Sequence, residues 1–170
     1  MKALLLVLLL LLSFRSHADE MRVGTLLVPW PEKCISTLEP RLIKVKCPDG
    51  EVALITPLLA KPGLNQLDAE AHFIAKSQDI SERIMAPAAA KCGEVLGGLR
   101  RTTANNAVVY AVASRCTRKR REYYLLQYAV AGTGGLVLFT IEGFGNSTDQ
   151  AARFDSLFLG ARFETAGVPE

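Results

Sequence analysis

The stretch Arg121–Phe163, REYYLLQYAVAGTGGLVLFTIEGFGNSTDQAARFDSLFLGARF, changes its periodicity partway along. Glu122–Ala131 and Leu136–Ile141 are rich in Tyr, Leu, Val and Phe, residues that suit the pleated, half-buried surface of a sheet. Gly132-Thr133-Gly134-Gly135 between them reads as a turn, because glycine enters left-handed backbone without a Cβ clash. Past Ile141 the spacing becomes helical. Ser147-x-x-Gln150 has the form of a capping box, and Ala151, Phe154, Leu157 and Phe158 follow on one face. Ala161–Phe163 then reads as a short closing strand. A turn this short joins only antiparallel strands, so the helix follows an antiparallel pair and does not cross between parallel strands.

Working back toward the N-terminus, Val95–Thr103 and Ala107–Arg115 flank Asn105-Asn106, a pair that tolerates the positive φ of a tight hairpin. With the two strands above they make a four-strand meander. Asn65 is a helix N-cap with Asp68 and Glu70 behind it. Leu67, Ala71, Ile74, Ile80 and Ile84 share one face of that helix, which stops before Pro87. Pro87 opens a second short helix through Lys91, with Gly93 past its end. Arg41–Cys47 alternates, Pro48-Asp49-Gly50 turns, and Glu51–Leu58 returns. Met21–Val28 is an earlier strand ending at Pro29-Trp30-Pro31. The fold class is therefore α+β: an antiparallel sheet, built of a hairpin plus the meander, with one long and one short helix packed on it.

Residues 1–18 carry Lys2, an apolar run from Ala3 to Leu12, and Ser16-His17-Ala18 before Asp19, the pattern of a cleaved secretory signal. The apolar run is too short to span a membrane, which takes about 20 residues. Residues 19–170 then form a single domain. Losing Lys2 and Arg15 leaves 18 basic against 17 acidic residues, a net charge of +1. Four cysteines in an exported chain imply two disulfides. Cys34–Cys47 and Cys92–Cys116 are the expected pairs, since each staples neighbouring elements. No C-x-x-C occurs, and His72 is the one histidine beyond the signal, so neither a metal site nor any other cofactor is expected.

The chemistry is read mainly by exclusion. His72 is the one base available to a serine nucleophile, and its helical position suits a solvated face. Ser147 is a helix cap. Glu70, Asp79, Glu82, Glu142 and Asp155 form no sequence pattern of paired carboxylates, and the Gly132–Gly135 cluster lacks the phosphate-loop lysine. A near-neutral exported chain lacks the basic footprint of a nucleic-acid binder. The informative run is Arg115–Tyr124, RCTRKRREYY. Thr117–Arg121 is a solvent-exposed turn between strands, where Arg118, Lys119, Arg120 and Arg121 can reach an acidic surface. Tyr123 and Tyr124 begin the next strand, and alternation turns one of them outward. Trp30, between two prolines, either packs in the core or serves as an exposed anchor. These seven residues are the expected partner-binding set.

The quoted C-terminal stretch resembles the end of PsbP-like α+β sandwich domains, which close with a strand pair, a Phe-rich short helix and a final strand. The resemblance covers the last third of the chain, and the helix–meander order of the rest follows it loosely. The opening region departs from it, with Val28-Pro29-Trp30-Pro31 where an aromatic–proline pattern is usual. It implies a non-enzymatic binding module. Small exported bacterial immunity proteins are also built as compact α+β domains. The expectation is a non-enzymatic exported protein that binds a protein partner, most concretely a periplasmic immunity protein or inhibitor of a secreted toxin. The alternative is a periplasmic module that binds a small ligand or an envelope component.

Overall fold

The strand Arg121–Gly132 (β9) is buried at every residue from Tyr124 onward. It lies between Ala107–Arg118 (β8) and Gly135–Phe144 (β10), antiparallel to both. The computed structural model describes residues 19–31, 33–59, 71, 92, 94–96, 100–105, 107–132 and 135–164. The expected signal at residues 1–18, and the expected helices from Asn65 to Lys91 with His72, lie outside the described residues, Ala71 apart.

Strand alternation gives the central strands two apolar faces. Tyr124, Leu126, Tyr128 and Val130 of β9 join Val109, Ala111 and Ala113 of β8 and Val137, Phe139 and Ile141 of β10 in the main core. Val108, Tyr110, Ala129, Ala131 and Leu138 form a second cluster on the opposite face. Beyond β10 the sheet continues through Val52–Leu59 (β5) and Leu42–Lys46 (β4) to Ile35–Glu39 (β3) at the edge. At the other end, Glu94–Val95 (β6) and Arg100–Ala104 (β7) both pair with β8. All of these pairings are antiparallel.

The main core is closed by a second layer. It consists of a three-stranded sheet, Asp19–Val23 (β1), Leu26–Trp30 (β2) and Arg162–Phe163 (β11), and the helix Ser147–Leu159 (α1). One aromatic cluster ties the layers together. Trp30 of β2 lies 6.3 Å from Phe139, 5.8 Å from Phe154 and 6.5 Å from Phe158, ring centre to ring centre. Phe158 in turn stacks on Tyr128 at 4.1 Å. Removing a buried Phe of this kind costs about 3–5 kcal/mol, so the cluster is a large share of what holds the helix to the sheets. The last strand is strapped to the first hairpin. Arg162 pairs with Leu27 in register and forms an ion pair with Glu20 at 2.6 Å, while Arg22 binds the Glu164 carboxylate.

Both expected disulfides are formed, Cys34–Cys47 and Cys92–Cys116. The first closes the open end of the β3–β4 hairpin, one step beyond the Ile35–Lys46 pair. Loop-closure entropy assigns them about 3 and about 3.5 kcal/mol.

Several local expectations change. Met21–Val28 is not one strand. The chain folds back at Gly24, whose φ is 61°, and makes the β1–β2 hairpin. Trp30 is the last residue of β2, not part of an irregular segment. Val95–Thr103 is split into β6 and β7, which pair with β8 in different registers. The cap of α1 is Asn146, not Ser147. Asn146 has extended backbone, and its side-chain oxygen accepts from the amides of Thr148 at 2.9 Å and Asp149 at 3.2 Å. Ser147 is already inside the helix, buried, and its hydroxyl donates to Glu122. Strand β3 went unread because all five of its residues are exposed, so it carries no apolar alternation.

Candidate partner-binding site at the hairpin tip

The β8–β9 connection is tighter than the expected Thr117–Arg121 turn. Arg118 and Arg121 are a cross-strand pair, and only Lys119 and Arg120 lie between them. Both have positive φ, 51° and 64°. A two-residue hairpin loop requires this, because the left-handed turn matches the twist of the flanking strands. Asn-Gly meets the requirement cheaply. For residues with a full side chain the left-handed region costs about 1–2 kcal/mol each.

The register arranges the tip in two rows on one face. Arg118 and Arg121 form the outer row, and Cys116, Tyr123 and Phe144 form the next. The two arginines lie over the aromatic rings. The Arg118 guanidinium is 5.0 Å from the Tyr123 ring centre, and that of Arg121 is 4.5 Å from Phe144. Phe144 is 55% exposed, beside the Arg121 guanidinium. None of Arg118, Lys119, Arg120 and Arg121 makes a salt bridge among the described residues. The nearby carboxylate of Glu122 is engaged instead by Arg115 at 3.4 Å, as is that of Glu94 at 2.9 Å. The result is a protruding patch with four uncompensated cations, two of them pre-positioned by cation–π contact. Sequence reading located the cations and Tyr123. It missed Phe144, which reaches the tip only through the β9–β10 register.

Two expected site residues lie elsewhere. Tyr124 is fully buried, on the face opposite Tyr123. Its hydroxyl donates to Glu51 at 2.5 Å, and Arg153 of α1 donates to the same carboxylate oxygen at 2.7 Å. Burial, the bond to Glu51 and the charge of Glu51 push the Tyr124 phenol well above its ordinary range. Trp30 is 3% exposed within the aromatic cluster, so it is a core residue and not an exposed anchor. Its ring is too large an apolar surface to leave in water when two α1 phenylalanines can cover it.

Trp30 also lines a pocket of about 160 Å³ between β1 and the β3–β4 hairpin, together with Glu20, Met21, Lys33, Ser36 and Val45. Its indole N–H is buried without a partner. Cys47, Asp49 and Glu51 lie within 4.8 Å of one another, but Cys47 is bonded to Cys34 and offers no thiolate. No helix among the described residues is long and apolar enough to cross a membrane.

No protein-family model matches the chain, and no curated protein matches it in sequence. Solved structures do. A protein of Bacteroides thetaiotaomicron VPI-5482 is similar with a TM-score of 0.56 and 9% identity, over 91% of this chain and 51% of that one. This chain thus spans about half the length of that structure. The solution structure of cyanobacterial PsbP (CyanoP) from Synechocystis sp. PCC 6803 is similar with a TM-score of 0.49 and 14% identity, over 89% of this chain and 96% of that one. At such identities the likeness concerns the fold alone.

Proposed function

We propose that this is a non-enzymatic exported protein whose β8–β9 tip engages an acidic face of a protein partner, most concretely as a periplasmic immunity protein or inhibitor of a secreted toxin. The observation that carries the reading is the pair Lys119-Arg120 in left-handed backbone. Strain of this kind, kept where Asn-Gly would be cheaper, points to a gain outside the fold. The gain on offer is charge, with four cations at a protruding tip beside exposed Phe144 and half-buried Tyr123. Arg and aromatic side chains are enriched among the residues that dominate binding energy. The pocket lined by Glu20, Lys33 and Ser36 favours the second reading, a module for a small ligand or envelope component.

The test is affinity capture from native envelope extract, with mass spectrometry, using the wild-type chain and a variant with Arg118, Lys119, Arg120 and Arg121 all changed to Ser. The reading expects a protein retained by the wild type and lost by the variant, and a complex that re-forms from the purified pair. A partner retained equally by both baits refutes the role of the tip.

A further inference from the structure

Strand β3 ends the large sheet. Among the described residues it pairs with β4 alone, and all five of its residues are exposed. Such an edge is normally blunted by charge, proline or a bulge, because its unpaired N–H and C=O groups invite another strand. Ile35-Ser36-Thr37-Leu38 carries no charge and no proline, and its ladder with β4 runs without a bulge. Two large apolar side chains stand on it, Ile35 at 72% and Leu38 at 83% exposed. Alternation puts Leu38 and Ser36 on one face. Ser36 pairs with Val45 and Leu38 with Ile43, and Val45 and Ile43 belong to the main core or pack against it. On that same face Ser36 and Val45 line the pocket of about 160 Å³ with Met21, Trp30 and Pro31. Exposed Ser36 brings the pocket to the edge. The edge thus has a projection at Leu38 and a recess at Ser36, two residues apart.

Such an edge is complementary to itself. A two-fold axis normal to the sheet sets two copies of β3 antiparallel and keeps each face of the sheet continuous. The register that pairs all five residues centres on Thr37, the middle of Ile35–Glu39. It opposes Thr37 to Thr37, Leu38 to Ser36 and Ile35 to Glu39. Moving the axis by one residue in either direction leaves fewer residues of β3 paired. In the full register the Leu38 of each copy stands beside the recess of the other, so the contact is made twice. On the opposite face Glu39 meets Ile35 of the other copy, and Lys46, the β4 partner of that Ile35, comes next in the row. Each carboxylate therefore faces a cation of the other copy across the axis. Thr–Thr and opposite-charge pairs are both favourable across strands. We infer that β3 is a homodimer interface, in which two copies join into one continuous sheet about a two-fold axis at Thr37 and each Leu38 fills the other copy's pocket. The pocket is then occupied by a second copy of the chain and not by a small ligand. Strands β4, β5 and β10 separate β3 from the β8–β9 hairpin, so pairing leaves both tips free and the dimer presents two of them.

The test is sedimentation velocity on the chain recovered after export, over a dilution series. The inference expects a reversible monomer–dimer equilibrium. Leu38→Lys changes a side chain that is already in water in the monomer, so the thermal midpoint of the dilute protein should not fall. Its dimer should be weaker on the order of a hundredfold, because each dimer buries two leucines. Cysteine pairs test the register. Thr37→Cys places two thiols opposite each other at the axis, and mild oxidation should link the copies. Leu38→Cys should link poorly to itself and readily to Ser36→Cys in a mixture of the two variants. The variant with all four tip cations changed to Ser should dimerise as the wild type does, which separates this edge from the tip. A chain that sediments as a monomer across the series, a dimer as strong with Leu38→Lys as without it, or Leu38→Cys linking to itself as readily as Thr37→Cys would each overturn the inference.

Discussion

Gly143 lies directly across the β9–β10 ladder from Tyr124, and a Cβ placed on it would stand 2.2 Å from the phenol oxygen. The glycine is the gap through which the Tyr124 ring passes to reach Glu51. Three elements meet there: Glu51 next to β5, Tyr124 in β9 and Arg153 in α1.

Gly143→Ala should therefore destabilise the fold well beyond the usual loss for a strand glycine. Overpacking costs about 1–3 kcal/mol. Displacing the hydroxyl from Glu51 adds about 1 kcal/mol. Chemical denaturation of the single and double variants checks the cause. In a Tyr124→Leu background the same alanine should cost less than half as much. An equal cost in both backgrounds would mean that the gap is not what the glycine supplies.

Tyr124 should also give the fold a dependence on alkaline pH. Its folded-state phenol is raised, first by burial, above the ordinary value of 10.0. A raised group contributes stability that is complete below its unfolded-state value and fades as pH climbs past it toward the folded-state value. Stability should thus fall above about pH 10. Tyr124→Phe should show a flatter alkaline limb by denaturant titration. In the folded chain the phenolate absorbance gained up to pH 11 should be the same for that variant as for the wild type. A smaller gain in the variant would show that Tyr124 ionises freely.

The tip should trade stability against association. Lys119→Asn with Arg120→Gly relieves two side chains from left-handed backbone and should raise stability by about 1 kcal/mol or more. With a purified partner, the same change should slow association more than it speeds dissociation, and the wild-type on-rate should fall as salt rises. Stopped-flow measurement at two ionic strengths checks both. A variant that is neither more stable nor slower to associate would make the tip an ordinary turn.

How far these features could be read from sequence depends on how local their causes are. The β9–β10 pair and α1 were legible because their apolar periodicities lie within short windows and each has its own turn or cap. The cations of the tip were visible for the same reason. Tyr124 was expected at the site and Phe144 was not read at all, because the β9–β10 register turns the first inward and leaves the second outside. Trp30 looked irregular between prolines. It is in fact strand-bound, since β11 pairs only with Leu26 and Leu27 and leaves the proline-containing end of β2 unpaired on that side. Strand β3 has no apolar period to find.

Opening the Cys34–Cys47 bridge should act mainly at the sheet edge. Replacing both residues by Ser should cost about 3 kcal/mol by the loop-closure argument. Amide hydrogen exchange should rise in β3 and β4 before it rises in β9. Thiol titration of the denatured, unreduced wild type should find essentially no free thiol. Four free thiols would contradict both bridges.

The pairing of β11 with β2 makes the order of manufacture matter. A chain made from its N-terminus delivers Leu26, Val28 and Trp30 early, yet their sheet lacks its third strand until Arg162 and Phe163 emerge. The α1 phenylalanines that cover Trp30 also arrive late. Contacts so distant along the chain close slowly. A nascent chain therefore holds an open, greasy first hairpin for most of its synthesis. The first hairpin is therefore the part of the core that waits longest for its cover.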